Sequence, residues 1–406
     1  MPPVLFLTES FHPVLGGGER HIRELAGQLA AGGWPATVLT RRTDASWPAE
    51  QALDGIRVLR VGPSGTGRSG KYRMVPAAMA ALARERRSYD VLVVRGTRVL
   101  GLPGLLAARR HRKAVVLQPE LNGEMTGEVF TWGTRFELEP YRSAVRAATA
   151  LRNRLLCDAD AFVAMSRSIE EEFLAAGAAR EKVVRIPHGV DTARFRPADA
   201  AAREALRRRW ELPAGVPIVI YTGRLLRGKG LEALVDAVAG LPPPAHLVVV
   251  GSGGDQPLSV EDELRDRVRA AGCGDRVTFT GRVDAVEDLL RAADIFAFPS
   301  VFEALGLSLI EAAACGLPAV GSRTGGIVDV IEDGRSGLLV PPADPAALRQ
   351  ALAALLQDPA RREAMGTRAR DVARARFDLA DSLGLYRALL GEVSRRGGAG
   401  VTGRAA

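Results

Sequence analysis

Short runs of four or five apolar residues, many of them β-branched, recur along this chain, and helical spacing separates most of them. Val4–Leu7 is the first. A loop ending in Gly16-Gly17-Gly18 follows, then Ile22, Leu25, Ala26 and Leu29 at helical spacing between Glu19 and Ala31, a stop at Gly32-Gly33, and a second run at Ala36–Thr40. This is a strand–helix–strand unit opened by a glycine loop. Further strands are expected at Ile56–Val61, Val91–Val94, Val115–Leu117, Ala161–Ala164 and Val183–Ile186. Strands that read as unbroken apolar runs are covered on both faces, which means parallel sheets with helices on either side.

Near residue 190 the rhythm restarts. After a polar connector reaching about Pro213, strands are expected at Ile218–Tyr221, Leu247–Val250, Val277–Phe279, Ile295–Phe298 and Ala319–Val320. Helices are expected between them at Leu231–Val238, Leu264–Ala270, Val286–Ala292 and Leu305–Cys315. Two doubly wound sheets follow, and 406 residues suit two cores better than one. Ligands of such sheets bind beyond the carboxyl ends of the strands, so two sheets facing each other make a cleft. The last stretch, from about Ser394, is Arg/Gly-rich and expected to fray. Cys157, Cys273 and Cys315 are far apart with no CxxC, which argues against a disulfide framework or a cysteine zinc site. No apolar run approaches the roughly 18 residues of a membrane span. Met1 to Thr8 lacks a basic region and reads as a strand, so the expectation is a cytoplasmic protein.

The net charge of +8 is not spread evenly: residues 51–150 hold 17 Lys+Arg against 8 Asp+Glu. That excess points to an anionic partner, such as a phospholipid leaflet, a lipid diphosphate or an acidic acceptor, or else to a solvated arginine face. Nucleic acid fits poorly, because the stretch lacks interleaved aromatics. Only Lys71, Lys113, Lys182 and Lys229 are lysines, so a lysine kept inside a tight glycine loop stands out.

Lys229 is that lysine. It lies in Gly223-Arg224-Leu225-Leu226-Arg227-Gly228-Lys229-Gly230, between a strand and a helix. Glycines let backbone approach a ligand, helix N-terminal N–H groups favour anions, and Arg224 and Lys229 add two cations. The second constellation is Glu303 and Glu311, eight residues apart around Gly306 and Leu307, just after Phe298-Pro299-Ser300. Glu303 falls before a helix start and Glu311 is expected two turns inside it, so both carboxylates can serve the same end of the sheet. Two carboxylates beside a diphosphate site suit hydroxyl-rich ligands. An N-terminal capping acid and a plain surface acid would look the same.

Together with Gly16-Gly17-Gly18-Glu19, His188-Gly189-Val190-Asp191 and Phe279-Thr280-Gly281-Arg282-Val283, these motifs resemble the retaining glycosyltransferases of family 4, which have the GT-B fold. The resemblance implies a first, acceptor-side domain over 1–190 and a nucleotide-sugar-binding domain over 191–376. It also implies a last helix over 377–393 that crosses back to the first domain, ahead of the 394–406 tail. Arg224 and Lys229 would neutralise the donor diphosphate, and Glu303, counted with them as catalytic, would contact the transferred sugar. Glu311 would bind the ribose, Gly306 and Leu307 would offer N–H groups to phosphate, and Gly281, Arg282 and Val283 would sit by the base. Gly17 and Gly18 would approach the diphosphate from the first domain. The partners implied are a nucleoside-diphosphate-sugar and an acceptor hydroxyl, with no cofactor and no metal. Transfer through an oxocarbenium-like state would retain the anomeric configuration. An epimerase or phosphorylase on the same fold, or a non-catalytic nucleotide-sugar-binding module, is the alternative.

This chain departs from the family where many relatives carry a His after the strand Val115–Leu117; here Gln118-Pro119-Glu120-Leu121-Asn122-Gly123-Glu124 stands. Glu120, Asn122 and Glu124 are the candidates to meet the sugar or acceptor from that side, with His12 beside the glycine loop. Gly65-x-Gly67-x-x-Gly70 formally fits a dinucleotide fingerprint, but Asp90 begins its strand where a ribose-binding acid should end one. A loop presenting Arg68, Lys71 and Arg73 to an acceptor fits that segment better than dinucleotide binding, and a plain solvated loop fits it better still. Arg135 to Leu156 mixes Arg142, Arg146, Arg152 and Arg154 with Val145, Leu151, Leu155 and Leu156 at helical spacing. That pattern suits peripheral contact, through residues 51–156, with the inner face of a membrane, or a helix covering the domain.

Overall fold

The computed structural model describes residues 1–14, 16–65, 69–127, 142–242, 244–254, 256 and 258–402. The chain divides into two compact units, one of Met1–Pro187 with Ser382–Ala406 and one of His188–Asp381. The division falls inside the Ile186–Asp191 stretch where the sequence rhythm restarts.

The first unit holds an eight-stranded sheet. Its strands are β1 (Val4–Leu7), β2 (Ala36–Arg41), β3 (Glu50–Leu53), β4 (Ile56–Val61), β5 (Val91–Arg95), β6 (Ala114–Gln118), β7 (Ala161–Ala164) and β8 (Val183–Arg185), in the order β3-β4-β2-β1-β5-β6-β7-β8. All neighbours pair in parallel except β3, which runs antiparallel to β4 from Glu50↔Leu59 to Leu53↔Ile56. β3 is the strand the apolar runs do not announce, because its Glu-Gln-Ala-Leu sequence is an exposed edge. Asp54 (φ 52°) and Gly55 (φ 77°) join it to β4, an Asp-Gly hairpin turn.

Val4, Phe6, Val38, Val91, Val93 and Val116 form one core with Ile22, Leu25 and Leu29 of the helix Gly17–Ala31. The final helix, Leu379–Thr402, adds Leu383, Tyr386, Leu389, Leu390 and Val393 to that core, spaced to share one face. Burying each such side chain stabilises by roughly 1.5–3 kcal/mol, which holds this helix on the first unit. The helix runs past Ser394, where the Arg/Gly-rich composition predicts fraying.

The second unit holds six parallel strands: β9 (Ile218–Thr222), β10 (His246–Val250), β11 (Val277–Gly281), β12 (Ile295–Phe298), β13 (Ala319–Ser322) and β14 (Gly337–Val340). Their order is β11-β10-β9-β12-β13-β14. The chain winds outward from β9 to β11, then returns beside β9 with β12. The switch point of this sheet therefore lies between β9 and β12, and that of the first sheet between β1 and β5. Among the described residues no helix is long and apolar enough to cross a membrane.

Candidate functional site

In the second unit the two sequence constellations meet at the switch point. The loop after β9 carries Arg224, exposed, and Lys229, half-buried; the loop after β12 carries Glu303. Lys229 Nζ lies 2.8 Å from Glu303 Oε2, with 23% and 15% of the two side chains exposed. Backbone fixes this meeting: the Val301 N–H donates to Gly228 O at 2.9 Å. Gly230 caps the helix Leu231–Ala239 at φ 68°, pressed against Pro299. On the other side Gly223 N–H donates to Val250 O at 3.0 Å and Leu225 N–H to Ser252 O at 3.2 Å, tying the glycine loop to the end of β10.

Beneath the pair lies Tyr221, fully buried, whose hydroxyl donates to Arg224 O at 3.2 Å. Burial pushes this hydroxyl's pKa up, the Glu303 carboxylate adds to that, and the Arg224 guanidinium opposes it. Tyr221 therefore lies within electrostatic reach of both Glu303 and Arg224.

The helix carrying Glu311 runs Leu307–Ala314, starting two residues later than its apolar pattern predicts. Gly306 is the reason: it takes φ 91° as the cap, a conformation that Leu305-to-Leu307 helix geometry cannot pass through. Glu311 consequently lies one turn inside the helix rather than two, and it is buried. No side chain caps this helix start, so the N–H groups of Gly306 and Leu307 belong to a terminus without a side-chain acceptor. Gly281 closes β11, and its carbonyl accepts Gly251 N–H at 2.8 Å. Arg282 beyond it is exposed and Val283 is half-buried.

The first unit has its own cluster at the β1/β5 switch point. Gly17 and Gly18 open the helix Gly17–Ala31, and Arg95 Nη1 at the end of β5 donates to Gly18 O at 2.8 Å. Glu19 accepts a bond from Ser10 Oγ. Glu120 follows β6, with Thr8 Oγ1 3.4 Å from its Oε1. Burial pushes the Glu120 carboxyl up to about 7, against the Arg95 guanidinium and with Glu19, Glu9 and Glu124 adding to the rise. Glu9 is likewise raised by burial, while Lys71, Arg98 and Arg41 pull it down.

The other candidates from this side separate. Glu124 is a loop organiser: its Oε2 accepts Thr97 N–H (2.6 Å) and Thr97 Oγ1 (2.7 Å), and its Oε1 accepts the N–H groups of Glu120 (2.8 Å) and Leu121 (3.1 Å). Asn122 Oδ1 accepts from Ser168 Oγ at 3.3 Å. His12 keeps company with Arg23, its Nδ1 3.4 Å from Nη1, and burial with Arg23 and Arg60 nearby lowers its pKa.

Of the basic segments, Arg68 and Gly67 lie outside the described residues, as does the stretch 128–141 that includes Arg135. The helix Arg142–Leu156 leaves Leu151 and Leu155 exposed. Among the described residues no three His, Cys, Asp or Glu side chains gather as a metal site.

Glu9, Arg95, Arg98 and Tyr221 are site neighbours that the motif reading misses. One signal was available: an Arg closing the apolar run Val91–Val94, directly before a glycine, is a charge drawn into the sheet end.

Comparison with known proteins agrees with this architecture. Residues 15–194 match the model described as Glycosyltransferase Family 4, and residues 202–372 match the model described as Glycosyl transferases group 1. The chain is 32% identical over 375 residues to the D-inositol 3-phosphate glycosyltransferase of Xylanimonas cellulosilytica, covering 88% of each chain. The same-named protein of Kineococcus radiotolerans is 33% identical, covering 87% of this chain and 85% of the relative. Among solved structures, sucrose-phosphate synthase from Thermosynechococcus elongatus superposes with a TM-score of 0.81 at 27% identity, over 97% of this chain and 100% of that one. The two mostly parallel sheets, the two matched family models and relatives covered over 85–88% of their length show that the chain belongs to glycosyltransferase family 4 and has the GT-B fold.

Proposed function

We propose that this glycosyltransferase moves a sugar from a nucleoside-diphosphate-sugar to an acceptor hydroxyl with retention of the anomeric configuration. The observation that carries this reading is the Lys229–Glu303 pair at the β9/β12 switch point, with Arg224 on the same loop. A cation and a carboxylate held 2.8 Å apart keep each other's charge satisfied while no donor is bound. When a donor enters, Lys229 turns to the diphosphate with Arg224, and Glu303 accepts hydrogen bonds from the sugar hydroxyls. The buried Glu311 takes the ribose, and the uncapped start of the helix Leu307–Ala314 takes a phosphate oxygen.

In the transfer, the bond from the anomeric carbon to the phosphate oxygen breaks and its electron pair stays on the leaving diphosphate. The acceptor oxygen bonds to the same face of that carbon, and its proton passes to the leaving phosphate. Negative charge gathers on the diphosphate as the bond breaks, so Arg224 and Lys229 help most at the transition state. The protein supplies this stabilisation from side chains and backbone, and the reading calls for no metal.

The acceptor we infer is anionic. Residues 51–150 hold 17 Lys+Arg against 8 Asp+Glu, and two of those cations, Lys71 and Arg98, lie with Arg41 within electrostatic reach of Glu9 after β1. Inositol 3-phosphate, after which the relatives are named, is the first acceptor to try. Thermal shift with UDP-, GDP- and ADP-sugars, each with and without inositol 3-phosphate, tests the assignment, because a ligand of the folded state alone raises the melting point. One nucleotide series is expected to raise Tm by several degrees at about 100 times its Kd, which corresponds to roughly 2.7 kcal/mol. No shift with any of the three would remove the proposal.

A further inference from the structure

We infer that Tyr386, on the final helix, is a positioning residue for the transfer site: through Gln118 and Arg95 it holds both the Glu120 corner and the Gly17-Gly18 start of the first helix. This rests on the proposed function together with the expectation, from the family resemblance, that Gly17 and Gly18 approach the donor diphosphate and that Glu120 meets the sugar or acceptor.

Tyr386 is 1% exposed, and its hydroxyl accepts a bond from Gln118 Nε2 at 2.9 Å, across 268 residues of sequence. Gln118 is fully buried and closes β6, two residues before Glu120. Its own carbonyl accepts Gly96 N–H at 2.9 Å, so it also ties down the turn after β5. Among the described residues its side-chain Oε1 has no hydrogen-bond partner, and the Tyr386 hydroxyl is what orients this amide. Arg95 pairs with Gln118 in the β5/β6 register, lies within electrostatic reach of Tyr386, and holds Gly18 O. The Tyr386 ring also stands 6.1 Å from that of His21, on the helix that Gly17 and Gly18 open. One side chain therefore touches, directly or at one remove, the three segments that end at the β1/β5 switch point.

A buried tyrosine need only fill space. Leu383, Leu389 and Leu390 do that on the same helix. What distinguishes Tyr386 is a polar bond in an apolar core, and a buried polar bond costs more to break than it returns when made. Such a bond fixes a geometry more than it adds stability.

Three readouts on the full-length Tyr386→Phe variant test the role. Hydrogen exchange is expected to quicken at residues 16–21 and 118–124 and to stay unchanged elsewhere in the first unit. Nucleotide release from UDP-glucose or GDP-mannose, with inositol 3-phosphate present, is expected to lose about tenfold in kcat, while the donor KM stays within about twofold because the side chains assigned to the donor, Arg224, Lys229, Glu303 and Glu311, are untouched and the Gly17-Gly18 start is loosened rather than removed. The pH inflection that Glu120→Gln abolishes is expected to move down from about 7. The reason is that a loosened corner admits water, and of the groups facing Glu120 the carboxylates of Glu9, Glu19 and Glu124 then repel it less while Arg95 remains.

The double variant Tyr386→Phe/Gln118→Leu makes both ends apolar and is expected to regain melting temperature without regaining kcat. Recovery of both together, or exchange that quickens evenly with kcat and inflection unchanged, would overturn the role and leave Tyr386 a core filler. If the wild-type chain turns over neither donor, the choice of donor or of inositol 3-phosphate as acceptor fails by itself, and the exchange pattern still decides whether Tyr386 holds these segments.

Discussion

Lys229→Ala is expected to lower kcat/KM for sugar transfer by about 10²–10³, the loss of one preorganised group at a developing oxyanion, or roughly 2.7–4 kcal/mol. The size follows from where the charge acts. A cation about 4 Å from a phosphate at an effective dielectric near 20 gains roughly 4 kcal/mol before desolvation. The leaving diphosphate becomes more negative during the step, so a large share of that gain appears only in the transition state. Stability should hardly move. The Lys229–Glu303 pair is partly exposed, and such pairs contribute at most about 1 kcal/mol. The melting temperature is therefore expected to fall by only a few degrees. Lys229→Arg keeps the charge but replaces a compact ammonium with a planar fork in a loop fixed by Gly228 and Gly230, so it recovers part of the activity. Steady-state kinetics beside a thermal melt separate these effects. Wild-type turnover in the alanine variant would remove the phosphate argument.

Gly230→Ala is expected to be among the most damaging small substitutions at this site, and to act first on the fold. Gly230 sits at φ 68°, and a Cβ there would stand 2.0 Å from Pro299 O and 2.8 Å from its carbonyl carbon. Both obstacles are backbone in the loop after β12, so no side chain can swing away. Backbone strain alone costs about 1–3 kcal/mol, and with the collision the total is on the order of 3–5 kcal/mol. For a unit of this size that lowers Tm by about 10 °C or more. Relief requires separating the two loops, which pulls Lys229 from Glu303, so transfer is lost even in the fraction that folds. Gly254→Ala is the control: it has φ 50° but nothing within 4 Å of the added carbon. Its melt is expected to shift far less. Equal shifts in the two variants would show that conformation rather than collision sets the cost.

Most strands were legible because a strand covered on both faces must be an apolar run, as at Val91–Val94 and Ile295–Phe298. β3 was not, since Glu50–Leu53 is an edge with polar residues facing water and only its Asp54-Gly55 turn marks it. β14 was missed for a different reason: Gly337–Val340 is short and ends against two prolines, so it reads as loop. At the donor loop, Lys229 stood out because lysine is scarce in this chain, and Glu303 because its spacing to Glu311 is regular. The first unit's cluster was harder to see. Glu9, Arg95 and Glu120 lie at or just beyond the ends of three strands separated by long stretches of chain, and only the order β1-β5-β6 brings them together. Glu124 looked like a ligand-binding acid and proved to be a backbone clamp. A carboxylate that accepts two bonds from its own loop and two from Thr97 after β5 cannot be told in sequence from one that faces a substrate.

The central claim is that the glycine loop after β9 grips a diphosphate. The most direct measurement is a crystal structure with UDP or GDP bound, whichever raises the melting point. The account predicts phosphate oxygens within hydrogen-bond reach of Arg224 and Lys229, the ribose on Glu311, and the Lys229–Glu303 contact opened. A nucleotide lodged elsewhere, with Lys229 still paired to Glu303 and Arg224 turned to solvent, would contradict it.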